Sequence, residues 1–139
     1  MTDQNDYNRR LIEEFRATRG LSSGPFAGRP LLLLTTTGAK SGRPHTTPLN
    51  YSVDGDRLVV IASKGGSPAH PDWYRNLVAH PEVTIELGGE RFRARARTAE
   101  EPERTRLFDR QAAQMPFFDA YRQRVTARQI PVVVFERLG

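Results

Sequence analysis

The chain has 139 residues, which suits one domain with a hydrophobic core and is too short for two ordinary domains. Its 37% hydrophobic and 27% charged residues are typical of a folded globular protein rather than a disordered or membrane-spanning one. The net charge of +5 is compatible with anionic ligands, and the lack of cysteine excludes disulfides, thiolate metal sites and cysteine nucleophiles.

The first predicted element is an amphipathic helix over residues 8–18, with Leu11, Ile12 and Phe15 on one side. Acidic residues precede its apolar ones, which is unlike a secretory signal, so we expect a cytoplasmic protein. We expect the helix to pack on the rest of the protein. Peripheral contact with the inner face of the cell membrane is the alternative. A glycine-rich loop follows over residues 19–30.

Six strands and three more helices are predicted after that loop. Several strands are joined by tight turns such as Asp54-Gly55-Asp56, whereas parallel neighbours would need long crossovers. We therefore expect a mainly β, α+β protein, in which an antiparallel barrel is surrounded by peripheral helices. The predicted strands span residues 31–37, 47–53, 57–63, 82–87, 91–99 and 130–136, and the helices span 71–78, 100–115 and 116–126.

The stretch TTTGAKSGRPHTTP, residues 35–48, has more cations and hydroxyls than a turn between two strands requires. Glycines, hydroxyls and an ammonium together can form a nest for phosphate oxygens, although the spacing is not that of a Walker loop. The chain has only two lysines, Lys40 and Lys64, and both lie beside glycines, while nineteen arginines supply the other cations. This pattern favours a phosphorylated ligand, and a solvated hairpin turn is the alternative.

A second lysine turn, SKGG at residues 63–66, comes shortly before the predicted helix 71–78, whose N-terminus also attracts anions. Trp73 and Asn76 lie on that helix. An indole and an amide could stack on and hydrogen-bond a flat heterocycle, although a lone tryptophan more often packs in a core. The adjacent lysine turn favours a role in binding.

The sequence gives little indication of a metal site, a hydrolase site or a nucleic-acid-binding surface. His45, His70 and His80 lack the spacing of metal ligands, so no metal site is expected, and no GxSxG elbow indicates a hydrolase. The arginines of residues 91–97 alternate with Phe92 and two alanines, which predicts a half-buried strand with a solvated basic face. No aromatic residues suited to stacking bases interleave with them, so nucleic acid is not expected as a partner.

Three segments together resemble the deazaflavin-dependent nitroreductase and quinone reductase family, a branch of the split β-barrel flavin and deazaflavin oxidoreductases. They are LLLLTTTGAKSGRPHTTPLNY, IASKGGSPAHPDWYRNLVAHPEVTIELGGE and IPVVVFE, within about residues 30–136. The resemblance implies an FMN-binding-like split β-barrel over residues 30–139, flanked by the helix and loop of residues 1–29. It also implies that coenzyme F-420 is bound and that the reduced deazaflavin gives a hydride to a quinone, nitroaromatic or enone-like acceptor.

The resemblance further implies which side chains contact the cofactor. Lys40, Ser41 and Arg43 would hold its anionic phosphate and tail, with His45 at a position where many relatives have arginine. The ring and the second line of contacts would involve Thr47, Pro48, Leu49, Ser63, Lys64, Gly65, Trp73 and Asn76.

The acceptor pocket that the resemblance implies is formed by Phe117, Phe118 and Tyr121. Nitro-reducing relatives often have tyrosine where Phe118 stands, which leaves Tyr121 as the nearby hydroxyl. Two other functions stay open at this point, namely a non-catalytic binder of the deazaflavin or a fatty acyl ligand, and an FMN-dependent oxidoreductase. A small-molecule acceptor is the expected partner, and the chain is expected to be a monomer or a homodimer.

Overall fold

The computed structural model describes residues 2–18, 30–67, 69–125 and 128–138, with side chains from Tyr7 onward in the first range. Most of the predicted loop 19–30, and Thr126 of the last predicted helix, lie outside these residues. No helix in the described ranges is long and apolar enough to cross a membrane. The helices are α1 (Thr2–Thr18), α2 (Asp72–Ala79), α3 (Glu103–Gln114) and α4 (Phe117–Arg124). The strands are β1 (Leu31–Thr37), β2 (Pro44–Asn50), β3 (Ser52–Asp54), β4 (Arg57–Ile61), β5 (Glu82–Leu87), β6 (Glu90–Thr98) and β7 (Val132–Arg137).

The seven strands form one antiparallel sheet in the order β2-β1-β5-β6-β7-β4-β3. Strands β2 and β3 lie at opposite ends of that order, yet only Tyr51 separates them along the chain. The sheet must therefore curl until its two edges approach each other. This curled sheet with its helices is the split-barrel type of fold, and the predicted α+β barrel is confirmed.

Strand β1 is apolar on both faces because both faces are covered. Leu32 and Leu34 point into the barrel, while Leu31 and Leu33 pack under helix α1 against Phe15. Side chains alternate between the two faces of a strand, so an unbroken leucine run requires a second covering layer. Phe15 of helix α1 provides this second layer over Leu31 and Leu33.

Strands β4 and β7 follow the same rule on the other side of the barrel. Val60 and Val133 face the barrel interior, whereas Val59 and Val134 face helices α3 and α4 around the buried ring of Phe108. The barrel interior and the layer between the sheet and helices α3 and α4 are thus two separate hydrophobic cores on opposite faces of one sheet.

The second predicted strand, residues 47–53, is two strands, so the described residues form seven strands where six were predicted. Strand β2 begins at Pro44, and Tyr51 interrupts the strand before β3. The threonines explain the early start, since Thr35 pairs with Thr46 across the ladder and their hydroxyl oxygens lie 2.8 Å apart. β-Branched residues suit such cross-strand pairs, so the residues that looked like turn hydroxyls extend the hairpin instead.

Candidate functional site

A cavity of about 740 Å³ lies where three separate elements meet. These elements are helix α1, the turn between β1 and β2 with the beginning of β2, and the first turns of helix α2. We call residues 38–43 the Lys40 turn. The cavity is lined by Asn8, Arg9, Ile12, Gly38, Ala39, Lys40, Ser41, Pro44, His45, Thr46, Thr47, Asp72, Trp73, Arg75 and Asn76.

The Lys40 turn is closed by its own backbone and leaves Lys40 exposed. Gly38 N–H donates to the carbonyl of Arg43 over 2.8 Å, and Gly42 N–H donates to the carbonyl of Gly38 over 3.0 Å. Gly42 has a φ of +70°, which glycine adopts without steric cost. The Ser41 hydroxyl accepts from the Arg43 N–H over 3.1 Å. The turn therefore has a defined shape with a lysine near its tip.

Asn76 connects the Lys40 turn to helix α2 and strand β1. Its Nδ2 donates to Thr36 Oγ1 over 3.1 Å, and its Oδ1 accepts from the Ala39 N–H over 3.0 Å. Both polar ends of this amide are thus used within the protein. Although Asn76 lines the cavity, the geometry gives it a positioning role toward the turn.

Trp73 belongs to the barrel core and to the cavity at the same time. Its side chain is only 7% exposed and packs in the same cluster as Leu77, and it also lines the cavity. The two sequence interpretations of this tryptophan, core packing and ligand contact, are therefore compatible. Its indole gives the cavity a rigid apolar wall.

Cations surround the cavity from all three elements. Arg9 comes from α1, Lys40 from the turn and Arg75 from α2, while Asp72 is the one acidic side chain among the described lining residues. His45 lies near the beginning of β2, also at the cavity. Such a set of side chains favours an anionic ligand.

The second lysine turn does not line this cavity. Lys64 to Gly66 form a short 3-10 turn, in which Lys64 is exposed and has a φ of +49°, a left-handed conformation that is uncommon for a lysine. We call residues 63–67 the Lys64 turn. A Cβ placed on Gly66 would lie 3.4 Å from Tyr121 and from Arg124 Cδ, so this turn faces helix α4.

Arg128 lies behind the Lys64 turn. Its guanidinium donates to the carbonyls of Ala62, Ser63 and Ser67, at 3.2, 2.9 and 3.0 Å, and contacts His70 Nδ1 at 3.0 Å. Burial lowers the pKa of His70, and the nearby positive charges of Arg128 and then Arg75 lower it further. The neutral ring can accept a hydrogen bond at Nδ1.

Acid is expected to destabilise the protein through His70. Its folded-state pKa lies below the ordinary value of 6.5, so its contribution to stability is present above that value and is lost as the pH falls through the folded-state pKa. The melting temperature should fall more steeply between about pH 7 and pH 5 in the wild type than in His70→Asn, whose Oδ1 accepts at any pH. Parallel melting curves for the two proteins would contradict this assignment.

Six of the predicted cofactor contacts line the cavity and six do not. Those that line it are Lys40, Ser41, His45, Thr47, Trp73 and Asn76, and those that do not are Arg43, Pro48, Leu49, Ser63, Lys64 and Gly65. Sequence reasoning missed Asn8, Arg9, Ile12, Asp72 and Arg75. The amphipathic pattern of the first helix gave no signal of where its polar side docks.

The predicted acceptor residues form an aromatic cluster on helix α4. The ring centroids of Phe117 and Phe118 lie 4.6 Å apart, and Tyr121 lies 5.6 and 5.8 Å from them. Phe118 is only 5% exposed and belongs to the core under α3 and α4, whereas Phe117 and Tyr121 are half-buried. Tyr121 is the member that faces the Lys64 turn.

Comparison with known protein families gives one family for nearly the whole chain. A family model described as F-420H(2)-dependent quinone reductase matches residues 7–137. The chain is also 42% identical over 130 residues to an F-420H(2)-dependent quinone reductase of Mycobacterium tuberculosis strain H37Rv, covering 88% of this chain and 85% of the relative.

Two solved structures are similar over most of the chain. One is an F-420-H2 dependent reductase, at 38% identity and a TM-score of 0.71, covering 78% of this chain and 95% of the other. The second is described as a domain-swapped dimer, at 34% identity and a TM-score of 0.73, covering 97% of this chain and 98% of the other.

Proposed function

Because the chain belongs to the F-420H(2)-dependent quinone reductase family, we propose that the cavity beside Lys40 binds the anionic part of reduced coenzyme F-420. The predicted activity is confirmed at the level of the family: the protein is an oxidoreductase that uses coenzyme F-420 to reduce a small-molecule acceptor. The family favours this cofactor over FMN, and an enzyme over a non-catalytic binder.

One observation supports this use of the cavity most directly: three cations from three elements surround it. Arg9, Lys40 and Arg75 can pair with the phosphate and carboxylate groups of an anionic cofactor. Lys40 has no hydrogen-bond acceptor or carboxylate partner among the described residues, so a ligand that binds this ammonium does not have to displace one of them. The donor set therefore fits the cofactor.

We propose the remaining cofactor contacts from the position of each side chain relative to the cavity. We assign Trp73 and Thr47 to the side of the ring system, where the indole provides an apolar wall and excludes water. When bound, the reduced deazaflavin supplies the hydride, so the protein needs only to bind, orient and exclude solvent. The Lys64 turn, with Ser63, Lys64 and Gly65, is assigned as a further line of contact outside the cavity.

We assign the acceptor to the space between the Lys64 turn and helix α4. Tyr121 faces the turn and offers a phenolic hydroxyl, and Phe117 offers an apolar face. Phe118 contributes by packing beneath them, since it is nearly inaccessible to solvent. Quinones, nitroaromatics and enones are the acceptor classes that this assignment covers.

The proposed function is tested by fluorescence titration of the protein with coenzyme F-420 and, in parallel, with FMN, followed by steady-state oxidation of the reduced cofactor. Menadione serves as the soluble quinone, with one nitroaromatic and one cyclic enone beside it. We expect micromolar or tighter binding and turnover with at least the quinone. Tight binding without turnover of any acceptor would favour a binder, and preferential binding of FMN would overturn the cofactor assignment.

Gly38→Ala is expected to weaken coenzyme F-420 binding severalfold while the protein stays folded. The new Cβ would lie 2.4 Å from Ser41 Oγ and 3.0 Å from His45 Nε2, so both side chains must move at the cavity. Such a shift costs contacts but leaves the core untouched. Titration and a melting curve measure the two effects, with Gly42→Asn as the turn control because asparagine tolerates a positive φ. An unchanged affinity in Gly38→Ala would contradict the assignment of this turn.

We propose that the protein works in the cytoplasm as a homodimer. A domain-swapped dimer among its structural relatives supports the oligomeric state, and light scattering during gel filtration tests it. Helix α1 packs through Phe15 on strand β1 and lines the cavity through Arg9, so we assign it to the site rather than to a membrane surface. Cosedimentation with anionic vesicles would contradict that assignment.

A further inference from the structure

We infer that Arg128 is a positioning residue that fixes the conformation of the Lys64 turn. This inference rests on the proposed function, in which the Lys64 turn contacts the cofactor. Arg128 itself lies behind the turn and outside the cavity, so it would act through the turn rather than by touching a ligand.

The guanidinium of Arg128 uses all of its donors on one short segment. Nε donates to the Ser67 carbonyl, Nη1 to the Ala62 carbonyl and to His70 Nδ1, and Nη2 to the carbonyls of Ser63 and Ser67. A guanidinium has five N–H groups in a fixed fork, and here each of them has an acceptor. The chain segment on both sides of Lys64 is thus held by one side chain.

These contacts account for the strained backbone of the turn. Lys64 has a φ of +49°, a conformation that costs a non-glycine residue energy unless the surroundings impose it. Arg128 binds the carbonyls of Ser63 and Ser67, which flank the short 3-10 turn Lys64–Gly66. By fixing both ends, the guanidinium holds the turn in the conformation that exposes the Lys64 ammonium.

The acceptors of Arg128 are all neutral. Three are backbone carbonyls and the fourth is an imidazole, and no described carboxylate lies within ion-pairing distance. Arg97, by contrast, has a carboxylate partner in Glu103, with Nη1 and Oε1 2.8 Å apart. The uncompensated guanidinium also places a fixed positive charge directly behind the turn, which adds to that of Lys64.

The test compares Arg128→Lys with the wild type. Lysine keeps the charge, but its single ammonium cannot reach three carbonyls and an imidazole at once. We expect faster amide hydrogen exchange over residues 62–67 in the cofactor-free variant than in the cofactor-free wild type. We also expect the dissociation constant for coenzyme F-420 to rise at least about fivefold. Arg124→Lys is the matched control, because Arg124 lies on the same side of the turn as the space beside Gly66, where a Cβ would meet its Cδ at 3.4 Å, but it has no hydrogen bond or ion pair with a described residue.

A double-mutant cycle separates positioning from general stability. If Arg128 acts through the Lys64 turn, Arg128→Lys should add no further loss of affinity in the Lys64→Ala background. Three results would each overturn the inference. They are unchanged amide hydrogen exchange over residues 62–67 in Arg128→Lys, an unchanged dissociation constant for coenzyme F-420, and losses of affinity that add in the double variant. If the wild type itself does not bind coenzyme F-420, the proposed function fails, and exchange in the cofactor-free protein still decides the role of Arg128. Should Arg128→Lys not fold, His70→Leu removes a single acceptor and should give a smaller increase in exchange over the same residues.

Discussion

Lys40→Ala is expected to weaken the binding of coenzyme F-420 about tenfold to a hundredfold. A hydrogen bond to a charged group contributes roughly 1.5–3 kcal/mol, which corresponds to that range in affinity. Lys40 is exposed near the tip of its turn and has no partner among the described residues, so its removal should leave the free protein unchanged. Fluorescence titration gives the affinity, and a melting curve checks that stability is unaffected.

Arg95→Ala is the matched control for this prediction. It removes the same charge from an exposed position on strand β6, away from the cavity, and we expect the affinity to stay within about twofold. Equal losses in both variants would mean that net charge, and not the Lys40 turn, attracts the cofactor. Lys40→Arg should retain part of the affinity, because the cation is kept while its position changes.

Asn76→Ala is expected to weaken both the fold and the cofactor site. The change leaves Thr36 Oγ1 without its Asn76 partner, and Thr36 is only 1% exposed, so the free energy of unfolding should fall by about 1–3 kcal/mol. It also releases the Ala39 N–H and with it the Lys40 turn, so affinity for coenzyme F-420 should fall about tenfold. Urea unfolding and fluorescence titration measure the two losses.

Thr36 distinguishes the two possible roles of Asn76. Thr36 is buried and does not line the cavity, so it cannot touch the ligand. If Asn76 acts by holding the turn, Thr36→Val should weaken binding, and Thr36→Ser, which keeps the hydroxyl, should not. If the amide contacts the cofactor ring directly, Thr36→Val should leave the affinity unchanged. In the double variant of Thr36→Val and Asn76→Ala, the changes in binding free energy should add only if the Asn76 amide contacts the cofactor ring directly.

The fold could be predicted because its signals are local. Strand-length apolar runs and tight turns predicted most of the strands, and the first of them, residues 31–37, was predicted with the bounds that β1 has. The break at Tyr51 could not be predicted. Whether a strand continues past a given residue depends on which neighbours it pairs with, and β2 and β3 pair at opposite ends of the sheet.

The site was predicted only in part, for a similar reason. Glycine and lysine next to each other are visible in the sequence, so both lysine turns were identified. The contribution of Arg9 was not, because the docking of helix α1 depends on its contact with β1, many residues further along the chain. Arg128 gave no signal either, since a guanidinium that binds backbone carbonyls leaves no pattern of partner side chains.

The single residue between β2 and β3 sets a strict limit on chain length at this point. The register of β2 is fixed by Thr46 opposite Thr35, and that of β3 by Ser52 opposite Val59. One inserted residue would shift one of the two strands and turn its side chains to the opposite face. Either the threonines of the cavity wall or Ser52, whose hydroxyl donates to buried Gln111 over 2.9 Å, would then face the wrong way. We therefore expect an insertion or deletion at Tyr51 to disturb either the ligand cavity or the buried Ser52–Gln111 contact, whereas substitutions on the two sides of Tyr51 can change these two regions independently.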